Sequence, residues 1–160
     1  MAAQSSLAKS AVASDAELAA RPSLTLTRRF AAAPEKVYAA WADPEKLVQW
    51  FGPGAVEPGS VKADIDLRVG GHYRISFNAK GEYNQVGGVY REVVPNERLV
   101  FSWAWHSTPE RESLVIVSLK PDGAGTLLTF HHEQFVDVTS RDNHERGWTE
   151  LLGKLADFLA

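Results

Sequence analysis

The chain contains no cysteine. Disulfides, thiolate nucleophiles and thiolate metal sites are therefore excluded. A chain without them is compatible with a reducing cytoplasm, and that is the expected location. Long hydrophobic runs are missing too, so no segment is expected to cross a bilayer. The first 22 residues, MAAQSSLAKSAVASDAELAARP, lack the continuous apolar stretch of a secretory signal. They also carry Asp15 and Glu17, which argue against a transit peptide. No block of like charge occurs, and 17 basic residues face 20 acidic ones, for a net charge of −3. Nucleic-acid binders cluster basic residues instead, so no nucleic-acid partner is expected. There is no P-loop, no dinucleotide fingerprint and no nucleophile elbow. The five histidines show no ligand-type spacing; His131 and His132 are neighbours on a strand and point to opposite faces. Neither a metal nor a cofactor is expected.

What remains is an ordinary globular composition, 44% hydrophobic and 23% charged, long enough for one domain with a sizeable core. Residues 1–22 read as a flexible tail, with a short helix capped by Asp15, and 23–160 as a single domain. Residues 24–30, LTLTRRF, alternate as a strand does. Pro34 suits a first helical turn, and Val37, Tyr38 and Trp41 share a face. Asp43 followed by Pro44 starts a second short helix, with Leu47, Trp50 and Phe51 on its apolar side, ended by Gly52, Pro53 and Gly54. From about residue 60 the apolar period becomes two, and several short strands follow, separated by turn residues. Tyr73, Ile75, Phe77, Tyr90, Leu99, Phe101, Trp103, Val115, Val117, Leu128 and Phe130 are the expected inner face. The chain closes with a helix expected near Asp142, where Glu145 completes a capping box. Its stripe is Trp148, Leu151, Leu152, Leu155 and Leu159. Strands joined by tight turns, with helices on one side, make an α+β fold with an antiparallel sheet.

Five strings occur in a telling order: WADPEKLVQWFGPG, GGHYRISF, GGVYREVVPNERLVFSW, GTLLTFHHEQF and RGWTELLGKLADFL. Together they resemble the Hsp90-ATPase-activator-homologue-like family, within the START and Bet v 1 helix-grip superfamily. The resemblance runs from about Leu24 to Ala160. It implies a curved antiparallel sheet of about six or seven strands gripping the C-terminal helix, with two short helices after the first strand. It also implies a cavity between sheet and helix, entered near the short helices.

Three functions follow from that resemblance. The first is binding of a small hydrophobic or amphipathic molecule in the cavity. The second is a stress-related protein-interaction module with a chaperone partner, which requires an exposed apolar patch including Trp105 or Phe135. The third is a cyclase- or hydratase-like enzyme. Since the resemblance starts near Leu24, the separate N-terminal chaperone-engaging domain of the family's name-giving member is not expected, and an activity is less expected than simple binding. Either a monomer or a homodimer is compatible with the sequence.

Candidate wall residues are Trp50, Phe51, Tyr73, Phe77, Tyr90, Trp103, Trp148 and Leu152, each of which could equally be plain core. Glu92 shares the alternation of Gly88 and Tyr90, and His132 that of Leu128 and Phe130, so both are expected to face inward. As an acid/base pair, or as ligand anchors, they are the candidate catalytic groups. The plainer alternatives are a bulge that turns Glu92 outward or an arginine that pairs with it, such as Arg74 or Arg91, and a His132 satisfied by its neighbours. Gly87 and Gly88 inside a strand mark a bulge or tight curvature.

Overall fold

The computed structural model describes residues 13–52 and 55–160. Seven strands form one antiparallel sheet: β1 (Leu24–Phe30), β2 (Lys62–Ile65), β3 (His72–Ala79), β4 (Glu82–Val94), β5 (Arg98–Trp105), β6 (Ser113–Asp122) and β7 (Gly125–Glu133). The order across the curved sheet is β1-β7-β6-β5-β4-β3-β2. The last six strands are thus a meander, and β1 closes the far side by pairing with β7, Leu24 opposite His132 and Phe30 opposite Thr126.

Turn chemistry holds the meander in register. Between β3 and β4 only Lys80 and Gly81 intervene, both with positive φ, as a two-residue hairpin loop matching the strand twist requires. Helix α1 (Asp15–Ala20) buries nothing, and its N-cap is Ser14, not the expected Asp15. Helices α2 (Pro34–Ala42) and α3 (Pro44–Trp50) meet at Asp43, whose carboxylate accepts from the Glu45 N–H at 2.9 Å. The Trp50 indole N–H donates to the Ala40 carbonyl at 2.9 Å and fixes the angle between them. Of the three residues expected to end α3, Gly52 has φ +134°, and Pro53 and Gly54 lie outside the described residues.

Helix α4 (Val138–Leu159) starts four residues earlier than the expected Asp142. The reason is local: the Asp137 carboxylate caps the Ser140 N–H at 2.8 Å. Asp142 instead lies in the second turn and holds Arg141 at 2.7 Å. The predicted stripe of Trp148, Leu151, Leu152, Leu155 and Leu159 is the buried face of this helix. Every residue expected on the inner sheet face is buried.

Two glycines in β4 allow the sheet to bend. A Cβ on Gly88 would lie 2.0 Å from the Ser102 carbonyl oxygen, and one on Gly87 2.7 Å from that of Tyr73. The expected irregularity follows them immediately: the β4–β5 register shifts between Tyr90 and Glu92. Ser102 is buried there, and its hydroxyl accepts from the Val89 N–H at 2.9 Å.

Candidate functional site

The space under α4 is mostly filled. Trp41, Trp50, Phe51, Phe130 and Trp148 pack face and edge, with Trp41 and Trp50 centroids 4.8 Å apart and Phe130 and Trp148 4.3 Å apart. What survives as inner space, among Trp41, Tyr73, Tyr90, Phe101, Trp103 and Trp148, is about 20 Å³. That suffices for about one water molecule. The broad cavity implied by the resemblance is therefore reduced by aromatic bulk.

A larger opening lies at one end of the seam between β5 and α4. This cleft of about 250 Å³ is walled by Phe51, Trp103, Trp105, Asn143, His144, Gly147, Trp148 and Leu151. The alternation of β5 puts Trp103 and Trp105 on the same face, centroids 5.6 Å apart, and the helical repeat brings His144, Gly147, Trp148 and Leu151 opposite them. Gly147 presents no side chain, and a Cβ there would meet nothing within 4 Å. A smaller recess of about 130 Å³ adjoins the cleft through the shared walls Trp103, Trp105 and His144.

Behind the cleft runs a directional hydrogen-bond chain. The Trp148 indole N–H donates to His132 Nδ1 at 3.1 Å. An indole can only donate, so Nδ1 is unprotonated and the imidazole proton sits on Nε2. Nε2 then donates to the Ser113 hydroxyl at 2.7 Å, and that hydroxyl donates to the Trp103 carbonyl at 3.2 Å. Burial, with smaller contributions from His144 and His131, pushes the His132 pKa well below the ordinary histidine value.

His144 is held the same way in the opposite tautomer. Its Nε2 accepts from the Trp105 indole at 3.0 Å, and its Nδ1–H donates to the Ser140 carbonyl at 2.7 Å. Burial lowers its pKa too, partly offset by the bond to Ser140. Trp103 is the exception in this network. Its ring is 3% exposed, and its indole N–H is buried with no hydrogen-bond partner.

Of the candidate wall residues, Phe51, Trp103 and Trp148 border both the cleft and the inner space, while Tyr73 and Tyr90 border only the latter. Phe77 stands behind Trp105, centroids 6.2 Å apart, on a separate shallow depression. Trp50 and Leu152 are packed core, and neither borders the cleft. His132 faces inward as expected but is sealed behind the wall, with both nitrogens engaged.

For Glu92 the inward placement is corrected, and the alternative of a bulge that turns it outward is what the structure has. The bulge places Tyr90 opposite Phe101 on the inner face and Glu92 opposite Val100 on the outer one. There its half-exposed carboxylate pairs with Arg98 at 3.1 Å, not with Arg74 or Arg91. Glu92 and His132 are therefore not brought together, and the acid/base pair does not form. Phe135, expected to be exposed in an interaction module, is 2% exposed.

Sequence reasoning missed Trp105, Asn143, His144, Gly147 and Leu151 as cleft residues. The late helix start hid only about one turn of α4. His144 and Gly147 lie inside the expected helix, four residues before Trp148 and Leu151, and that spacing could have placed them. Among the described residues, no group of three His, Asp or Glu side chains could hold a metal ion. None of the described helices is long and apolar enough to cross a membrane.

A curved antiparallel sheet closed on a long C-terminal helix, with two short helices after the first strand, is a helix-grip domain of the Bet v 1-like class. Solved structures share it. Protein CV1439 from Chromobacterium violaceum is 29% identical with a TM-score of 0.75, the match covering 86% of this chain and 96% of that one. Mll3558 from Rhizobium loti is 31% identical with a TM-score of 0.73 over the same shares. CalU16 from Micromonospora echinospora is 27% identical, TM-score 0.64, over 86% of this chain and 76% of its own. The family model described as activator of Hsp90 ATPase homolog 1-like protein matches residues 31–160, and the chain belongs to that family. No curated protein matches the chain.

Proposed function

We propose that the protein binds a small hydrophobic or amphipathic molecule in the cleft between β5 and α4. The observation that carries this reading is the cleft itself: about 250 Å³ walled by four aromatic side chains, His144 and Leu151, with an unfilled position at Gly147. Ligand pockets are typically apolar, with few polar groups, and range from about 300 to 1,000 Å³. A cleft at or below that lower bound suits a small ligand, or one whose far end reaches solvent. No side chain at the cleft is set up as a nucleophile or a free general base, since both nitrogens of His144 are engaged. The arrangement therefore favours binding over a chemical step as the reading.

The test is native mass spectrometry of gently purified protein, with extraction of whatever travels with it, beside a Gly147→Phe variant. A stoichiometric small molecule on the wild type, lost in a variant with an unchanged circular dichroism spectrum, is the expected result. A wild type that retains no small molecule and takes up no added apolar probe overturns it.

A further inference from the structure

Two of the tryptophans that wall the cleft hang on neutral imidazoles. Trp148 donates to His132 Nδ1, and Trp105 donates to His144 Nε2. An indole N–H can only donate, so each bond requires an imidazole nitrogen without a proton. The two histidines are not equally placed. His132 is fully buried, whereas His144 is part of the wall of both the cleft and the adjoining recess. A proton taken up from either space therefore reaches His144 first. The two rings lie 5.3 Å apart, so a charge on His144 holds His132 neutral.

We infer that protonation of His144 is the release signal of the cleft: the site holds its ligand while that imidazole is neutral and lets it go on acidification. This rests on the proposed binding role and adds its regulation. Once protonated, Nε2 carries a hydrogen directed at the Trp105 indole N–H across 3.0 Å, and two donors face each other with no acceptor between them. The Nδ1–H bond to the Ser140 carbonyl survives in both charge states and anchors the ring. Trp105 is the side that gives way: it is the last residue of β5, only half-buried, and part of the cleft wall. No carboxylate lines the cleft or the recess to stabilise an imidazolium, and Arg111, in the recess, opposes one. On α4, Arg141 and Asp142 pair with each other at 2.7 Å, and on β7 His131 and Glu133 pair at 3.2 Å. On the far side of Trp105, Lys80, Glu82 and Glu150 border a separate depression. An apolar ligand seated against His144 displaces the water that would solvate its charge, so ligand and proton exclude each other. Burial already sets the His144 pKa below the ordinary histidine value, which puts release on the acid side of neutrality.

The test titrates N-phenyl-1-naphthylamine, an apolar fluorophore that stays uncharged in this range, into the whole chain from pH 7.5 downward. Circular dichroism follows the fold, ¹⁵N-labelled tryptophan reports each indole by NMR, and the histidine ring protons give the His144 titration. Affinity is expected to be about twofold weaker where free His144 is half-protonated, then to fall by about tenfold per further pH unit, the limit for one excluded proton. The Trp105 indole resonance should move with that titration while the Trp148 resonance stays. His144→Gln, whose amide oxygen accepts from an indole without titrating, should lose the pH dependence of affinity. Should that variant fail to fold, the two indole resonances in the wild type decide. Affinity that is unchanged as His144 titrates, or that follows Trp148 and His132 instead, overturns the inference and leaves the binding role standing. A fold lost before His144 titrates overturns it too, because no folded site then remains to be regulated. No binding of the fluorophore at any pH overturns both.

Discussion

The indole N–H of Trp148 on α4 donates to Nδ1 of His132 on β7 across 3.1 Å, and this bond ties the C-terminal helix to the sheet. Trp148→Phe leaves a fully buried imidazole nitrogen without its donor. A loss of about 1–3 kcal/mol is expected from the unsatisfied acceptor, with a further contribution from the smaller ring. A double-mutant cycle with His132→Phe, read by urea denaturation, should show the two losses to be clearly less than additive. Strict additivity would mean that the bond does not form.

Acid should weaken the fold through the same region. The folded pKa values of His132 and His144 lie below the ordinary histidine value, chiefly because both are buried. Below about pH 6.5 the unfolded chain takes up protons that the folded one refuses. Their contribution is therefore fully present above that pH and is lost as pH falls toward the lowered folded values. The steepest slope one such group imposes is about 1.4 kcal/mol per pH unit. Urea midpoints between pH 7.5 and 5.5 should fall for the wild type and fall less steeply in His144→Gln, where His132 still contributes. An unchanged slope in that variant speaks against a role for His144.

The start of α4 can be checked by its cap. Asp137→Ala should cost about 1 kcal/mol, the usual worth of an N-cap, because its carboxylate holds the Ser140 N–H. Asp142→Ala removes only a half-exposed pair with Arg141 and should stay within about 0.5 kcal/mol. Thermal unfolding of the two variants side by side distinguishes them. The reverse order would put the helix start at Asp142.

Glycines on α4 separate stability from binding. Both Gly147 and Gly153 have open space where a Cβ would stand, so alanine at either should gain about 0.5–1 kcal/mol in helix propensity. Only Gly147 borders the cleft. Gly147→Ala should therefore raise the melting temperature and weaken binding of an apolar probe, while Gly153→Ala raises it alone. Equal binding by both variants would place the ligand elsewhere. Gly88→Ala is the contrasting case. Its Cβ would press on the Ser102 carbonyl at 2.0 Å, and a substantial loss of stability is expected.

Much of the fold was legible because apolar periodicity is a direct record of which side is buried. The inner face from Tyr73 to Phe130 and the stripe from Trp148 to Leu159 read correctly for that reason. Glu92 shows where period-two reasoning stops: one extra residue in β4 reverses every later side chain, and the bulge lies between two alternating positions that look identical in sequence. His132 read correctly as inward, and the plainer alternative of a histidine satisfied by its neighbours is what the structure has; which neighbours was not legible, since Trp148 and Ser113 come from other elements. Trp50 and Leu152 were indistinguishable from wall residues because apolar walls and apolar cores have the same composition. The cleft depended on which aromatic rings fail to fill the seam, and that is a matter of volumes across α4 and β5.

The pairing of β1 with β7 also has a consequence in time. Thr25 and His131 are register partners although 106 positions separate them, so β1 has no neighbour in the sheet until the last strand has been made. On a ribosome the meander can form hairpin by hairpin, whereas the first strand to emerge waits for nearly the whole chain. Contacts of such long sequence separation slow folding and prolong the exposure of an unpaired edge. The two threonines and the adjacent arginines of LTLTRRF put polar and charged groups on that waiting strand, which disfavours pairing with other copies before β7 arrives.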